Sequence, residues 1–186
     1  MQKDLSLILA TTFDGGIGYD DKLSWFIKEE LHKFKDITNS VKNKNKINAI
    51  IMGRNTWISL PKKPLKDRLN IVITSDLQYN TPYTDVLVFN TLISALMFCN
   101  NQNYIESIFI IGGANVYNQF LNDFKLKKYV SRIYLSMMYY NEKYVVNKYI
   151  DISNIYSDYI FFKEEKYQKY SNNKLFASYV CIPKHK

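Results

Sequence analysis

Apolar residues occur along the chain in short unbroken runs, separated by turn-forming clusters and by stretches with helical spacing. Leu5 to Thr12 is the first run and reads as a buried strand. A glycine-rich turn follows, Phe13-Asp14-Gly15-Gly16-Ile17-Gly18, and then a loop to Trp25. Phe26 to Asn39 reads as a helix. Further strands are expected at Ile47 to Met52, Leu69 to Thr74, Val86 to Phe89, Ile108 to Ile111 and Ile133 to Met137. Between them lie a helical turn, Asn55 to Ser59, and helices at Leu92 to Cys99 and Ala114 to Leu121. Phe161 to Tyr170 and Lys174 to Ile182 read as a hairpin around Ser171-Asn172-Asn173. Apolar strands alternating with helices predict an α/β fold. Its central sheet is mostly parallel, with helices on both faces and a C-terminal antiparallel hairpin at one edge. With no internal repeat or linker, residues 1–186 are expected to form a single domain.

The first helix carries the most informative position. Ile27, Leu31, Phe34 and Thr38 share one face, with Phe26 and Ile37 at its edge. Glu30 falls inside that stripe, while Glu29 points elsewhere and can pair with Lys33 at i,i+4. A carboxylate on a buried face is costly unless something uses it. Desolvation raises its pKa, and perturbed acids are enriched at functional sites. The competing reading is a Glu at the rim of the core with its head in water.

Composition narrows the classes. No apolar run approaches the ~20 residues of a membrane span. The start, Met1-Gln2-Lys3-Asp4, lacks a signal-peptide pattern. Cys99 and Cys181 give neither a disulfide framework nor metal-ligand spacing, so two free core thiols, no metal and a reducing, cytoplasmic setting are expected. The net charge of +8 attracts anions such as nucleotides, polyglutamates or nucleic acid. Lys42-Asn43-Lys44-Asn45-Lys46 has no interleaved aromatics and reads as a solvated connector, so a nucleic-acid partner is not expected.

Three strand ends could receive anionic groups. Ile110-Ile111-Gly112-Gly113-Ala114-Asn115-Val116-Tyr117 is a strand, two glycines and a helix start, where a ligand can approach bare backbone and free N–H groups. It is not a GxGxxG fingerprint. Met52-Gly53-Arg54-Asn55-Thr56-Trp57 repeats the pattern, with Thr56 able to cap the turn and Arg54 able to pair a phosphate. The third strand ends in the hydroxyls of Thr74 and Ser75. Together they suggest one nucleotide across the carboxyl edge of the sheet. Each could equally be an ordinary turn.

The whole series resembles dihydrofolate reductase. It rests on Leu7-Ile8-Leu9-Ala10, Gly16-Ile17-Gly18, Leu23-Ser24-Trp25, Glu30-Leu31 with Phe34, the Met52 to Trp57 segment and Pro64-Leu65-Lys66-Asp67-Arg68. It continues through Asn70-Ile71-Val72-Ile73-Thr74-Ser75, Ile110-Ile111-Gly112-Gly113 with Val116-Tyr117, and Arg132-Ile133-Tyr134-Leu135-Ser136. The resemblance implies NADPH-dependent reduction of 7,8-dihydrofolate to 5,6,7,8-tetrahydrofolate by a monomer. Glu30, five residues after Trp25, would be the acid that binds the pterin and supports N5 protonation through water, with Ser136, Leu23 and Trp25 around it. Ile8, Ala10, Leu31, Phe34, Leu60, Leu65, Ile111 and Tyr117 would line the ring pockets, and Arg68 would bind the substrate's α-carboxylate. The cofactor would be held by Ala10, Ile17, Gly53, Arg54, Asn55, Thr56, Thr74, Ser75, Gly112, Gly113, Ala114, Asn115, Val116, Tyr117 and Gln119. Gly112-Gly113 would be a cis peptide, and the Gly15 to Leu23 loop would close over the nicotinamide.

Four places depart from the family pattern. Ser24 replaces a proline, which bears on loop rigidity. Asp67 replaces a glycine before the arginine. Residues 139–149 lack the Asp-Thr-aromatic-aromatic-Pro segment. Asn90 stands where a basic side chain can face the ribose phosphate, so the preference for NADPH would rest on Arg54 and Ser75, with no acidic side chain near either strand end to read a ribose diol. Alternatives are a same-fold reductase of another pterin or pyrimidine intermediate, and a non-catalytic folate- or nucleotide-binding protein.

Overall fold

Chain order runs β1 (Asp4–Thr11), β2 (Gly16–Gly18), α1 (Lys28–Asn39), β3 (Ile47–Gly53), α2 (Arg54–Ser59), β4 (Arg68–Ile73), β5 (Val86–Phe89) and α3 (Leu92–Asn101). It continues with β6 (Ile105–Ile110), α4 (Ala114–Asn122), α5 (Phe124–Lys127), β7 (Val130–Tyr139), β8 (Lys148–Tyr149), α6 (Ser153–Asp158), β9 (Tyr159–Lys163) and β10 (Leu175–Pro183). The computed structural model describes residues 3–139, 144–164 and 175–184.

Eight strands form one sheet in the order β5-β4-β3-β6-β1-β7-β10-β9. Pairings from β5 across to β7 are parallel, and β10 runs antiparallel to both β7 and β9. The predicted terminal hairpin is therefore present, although its turn, Ser171-Asn172-Asn173, lies outside the described residues. Strand alternation divides the core between two faces. Leu7, Ile51, Ile71 and Ile110 pack on one side with Ala95 and Cys99 of α3 and Phe120 of α4. Ile8, Ile50, Met52, Val72 and Phe109 pack on the other with Trp57 of α2 and Phe34 and Ile37 of α1. Burial on both faces is why these strands read as unbroken apolar runs.

The structure departs from the sequence expectation at α1 and at the β2–β8 ladder. Helix α1 starts at Lys28, so Phe26 lies before the helical phase applies and is 79% exposed, not at the edge of the buried face. The β2–β8 ladder escaped because two- and three-residue strands carry no periodicity. Cys99 and Cys181 are buried and free, and burial pushes both thiols up to about 12. Among the described residues no helix is long and apolar enough to cross a membrane. The Lys42–Lys46 connector is tied down by Glu106, whose carboxylate accepts from Lys42 N at 2.7 Å and Asn43 N at 2.9 Å.

Candidate active site

The sheet order makes the cleft. From β1 the chain moves out to β3, β4 and β5, then returns to insert β6 between β3 and β1. Ligands of open α/β sheets bind outside the carboxyl strand ends, at such a reversal. Here those ends are Thr11, Gly53, Ile73 and Ile110, and α1 runs alongside.

Glu30 sits on α1 with 7% of its surface exposed. Desolvation pushes its carboxyl above the ordinary range, against the pull of the Lys33 ammonium and of a hydrogen bond with the Ser136 hydroxyl. Ser136 is buried on β7 directly beside Ala10 of β1, so the register delivers the hydroxyl to the floor of the cleft. Beside it stands an apolar wall. Ile8 and Ile111 are buried, and Phe34, Leu60 and Leu65 pack against them only partly buried. Leu31 is also half-buried. Ala10 packs with Trp25 and Ile27 in a second cluster.

The loop in front is fastened by side chains. Trp25 is 5% exposed, and its indole N–H meets no acceptor among the described residues. Leu23 is 56% exposed and lines an open pocket with Tyr19, Lys22, Ser24, Tyr144 and Val145. Ser24 donates to the Val145 carbonyl at 2.5 Å, so the hydroxyl ties the loop where a proline would have stiffened it. Asn147 accepts from Asp20 N at 3.1 Å and donates to its carboxylate at 2.9 Å. Ile17 of β2 is half-buried against the main core.

Arg68 stands at the far end of the apolar wall. Its guanidinium donates to Thr38 Oγ1 at 2.7 Å and lies 5.9 Å from the Phe34 ring centroid. Asp67 takes φ 62°, the left-handed backbone that Asp tolerates better than most residues. The buried Asn70 amide exchanges hydrogen bonds with Leu65 N and Leu65 O and also donates to Arg68 O.

The glycine strand ends form a cradle. Gly53 N donates to Gly112 O at 2.7 Å, and the Gly112–Gly113 peptide is cis. Gly112 has φ 113°, and a Cβ there would stand 3.0 Å from the Tyr117 ring. A Cβ on Gly113 would meet Thr56 Oγ1 at 3.0 Å. Helix α4 starts at Ala114 with no side-chain cap, leaving its first amides, Ala114 and Asn115, for a ligand. Val116 and Tyr117 are buried, and Tyr117 donates to Ile8 O at 2.7 Å. Gln119 is exposed one turn on. Thr56 does not cap α2; Gly53 is the N-cap and makes no side-chain bond, because Thr56 is turned toward Gly113. Asn55 donates to Asp21 at 3.3 Å, joining the loop to this edge.

Two corrections concern charge. An acidic side chain does stand at this edge: Asp76 pairs with Arg54 at 2.9 Å, just past Thr74 and Ser75. Arg54 also lies 4.5 Å from the Tyr79 ring centroid. Asn90, exposed, donates to Thr74 O at 3.1 Å. The second correction is Lys33, which is not a surface partner of Glu29. It is 1% exposed and forms an ion pair with Glu164 at 3.3 Å. Helical spacing hid this, because Glu164 lies beyond β9 and far from α1 in sequence. Among the described residues no group of His, Cys, Asp and Glu is placed to hold a metal.

A sequence model of the dihydrofolate reductase family matches residues 4–179. Candida albicans dihydrofolate reductase is 38% identical over 110 residues, 58% of this chain and 56% of that protein. The Heliothis virescens enzyme is 40% identical over 121 residues, 62% of this chain and 65% of its relative. The chain thus spans between about half and two thirds of the length of these two relatives. A solved structure of Schistosoma mansoni dihydrofolate reductase superposes with a TM-score of 0.79 at 26% identity, covering 98% of this chain and 100% of that one.

Proposed function

The chain belongs to the dihydrofolate reductase family, and from that premise we propose that it reduces 7,8-dihydrofolate to 5,6,7,8-tetrahydrofolate with NADPH in the cytoplasm. The observation that carries the reading is Glu30, a buried carboxylate bonded to Ser136 at the end of an apolar wall that leads to Arg68. A pterin has a polar edge for the carboxylate and a flat body for Ile8, Phe34 and Ile111. Its glutamate tail suits Arg68.

The carboxylate accepts from the pterin amino group and ring N–H, which fixes the ring and polarises it toward protonation at N5. Ser136 keeps one carboxylate oxygen oriented. The Trp25 indole N–H has no other acceptor among the described residues and can hold the water that carries the proton. Ala10 and Ile17, both half-buried, would keep bulk water from the reacting face. Gly53, Gly112 and Gly113 give bare backbone to a dinucleotide pyrophosphate, and the first amides of α4 face the same edge. Arg54, Thr74 and Ser75 would take the ribose phosphate, so the residues present fit the cofactor. When bound, it supplies the hydride for the N5=C6 bond.

The test is the loss of NADPH absorbance on adding dihydrofolate, with folate-free and dihydropteridine controls. Turnover with dihydrofolate supports the reading. Binding of both ligands without turnover would leave the non-catalytic alternative.

A further inference from the structure

Lys33 lies in the interior, one helical turn from Glu30, in a position no apolar stripe accounts for. Its ammonium donates to Ser136 Oγ at 3.4 Å and to Ser178 Oγ. Those two serines are partners across β7 and β10. Each is bonded to a carboxylate in turn: Ser136 to Glu30, and Ser178 to Glu164 Oε2 at 2.8 Å. Glu164 N donates to Ser178 O at 2.8 Å, which fixes that end of the chain of bonds. An ammonium this deep is strongly destabilising without such partners. A serine oxygen that accepts from an ammonium has its own proton left to donate. Lys33 therefore sets the direction of both hydroxyls.

We infer that Lys33 is a positioning residue for the pterin-binding acid: anchored by Ser178 and Glu164, its ammonium turns the Ser136 hydroxyl toward Glu30 and holds that carboxylate ionised and oriented for substrate. The inference rests on the reading of Glu30 given above. It names a second charge, placed behind the acid and out of reach of substrate, as a determinant of where in pH the enzyme works.

The surroundings leave few other controls. Tyr117 of α4 faces Glu30, but burial pushes its hydroxyl far above the working range, and it donates to Ile8 O. Cys181 of β10 faces Lys33, and burial pushes its thiol up to about 12. Among the described residues Glu164 is the remaining carboxylate of the group. Burial pulls Lys33 down from the ordinary lysine value, while Glu164 and Glu30 push it back up. Removing its charge takes away an attraction that favours Glu30 as the anion, so the acid becomes harder to ionise.

The experiment is the pH profile of single-turnover hydride transfer in the cofactor-saturated enzyme, for wild type, Lys33→Met, Lys33→Gln, Glu30→Gln and the Glu30→Gln/Lys33→Met double variant. Both neutral variants at Lys33 should move the midpoint upward by on the order of one pH unit, a tenfold change in the ratio of the two forms. Cofactor affinity should stay within about twofold of wild type, since that edge lies across the cleft. In the Glu30→Gln background, Lys33→Met should cost nothing further. An unmoved midpoint in a folded variant, or an equal loss in the Glu30→Gln background, overturns the inference. If neither variant folds, Ser136→Ala carries the test: it deletes the relay oxygen, and an unmoved midpoint there is equally fatal. Wild-type rates in Glu30→Gln alone would instead remove the reading of Glu30, which keeps the two failures apart.

Discussion

The side-chain amide of Asn70 pairs with the main chain of Leu65 in both directions, accepting from its N–H at 2.9 Å and donating to its carbonyl at 2.8 Å. An amide side chain thereby stands in for a neighbouring strand. It fastens the segment between α2 and β4, which carries Leu65 and Arg68 into the cleft. Asn70 is 1% exposed, while its partners Leu65 and Arg68 are half-buried.

Asn70→Ala should therefore reduce both stability and substrate binding. Leaving half-buried backbone partners unsatisfied costs at most about 1–3 kcal/mol for each group. The expected result is a lower urea midpoint, a raised KM for dihydrofolate and unchanged affinity for NADPH. Equal weakening of both ligands would mean the segment does not serve the substrate side alone.

Glu30→Gln should lower turnover by about 10²–10⁴-fold, the usual range for a positioned acid or base. The deficit should shrink at low pH, where solvent supplies the proton. Stability should move the other way. An unfolded glutamate ionises near ~4.3, while desolvation raises the folded value. Stability is therefore fullest below the unfolded value and falls as pH rises toward the folded one. The Gln variant should be more resistant to urea than wild type at pH 7, and the gap should close near pH 4. Glu29→Gln, on a half-exposed side chain, should be nearly silent in turnover.

Arg68→Lys should raise the KM for dihydrofolate by roughly 1–3 kcal/mol in binding terms, because a planar fork is replaced by a point charge. A dihydropterin without the benzoyl-glutamate tail should not register the change. Equal losses for tailed and tailless substrates would remove Arg68 from this role.

The Arg54–Asp76 pair sets the cofactor prediction. Both side chains are about 40% exposed, so the pair is worth only ~0–1 kcal/mol and a ribose phosphate can displace the carboxylate. Wild type should prefer NADPH over NADH in kcat/KM. Arg54→Ala should lose much of that ratio through NADPH alone. Asp76→Asn should raise it by up to about fivefold, since the phosphate no longer competes for the guanidinium. A wild-type preference for NADH would sink the assignment.

The sheet was legible because its strands are buried on both faces and announce themselves as runs such as Ile47 to Met52. The carboxylate was legible because α1 fixes its face: Glu30 falls among Leu31, Phe34 and Thr38, although Ile27, read as part of that face, is the extended N-cap before the helix. Lys33 was not, because its partners come from β7, β10 and the end of β9, more than a hundred residues away. Asn70 was not legible for a different reason: its partner Leu65 is only five residues earlier, but an irregular segment carries no periodicity that would show the amide facing it. Arg54 and Asp76 meet only because β3 and β4 are neighbours in parallel, so their separation along the chain gave no hint of contact.

The sheet order has a consequence for the chain while it is being made. β1 emerges first, yet its neighbours are β6, where Leu5 pairs with Ile108, and β7, where Leu7 pairs with Ile133. Both edges of this strand wait for partners about a hundred residues or more further along the chain. Until then the nascent chain carries an apolar strand with unsatisfied amides and carbonyls, open to pairing with other molecules. The arrangement that lets distant strand ends converge on one cleft thus leaves β1 waiting longest for its neighbours.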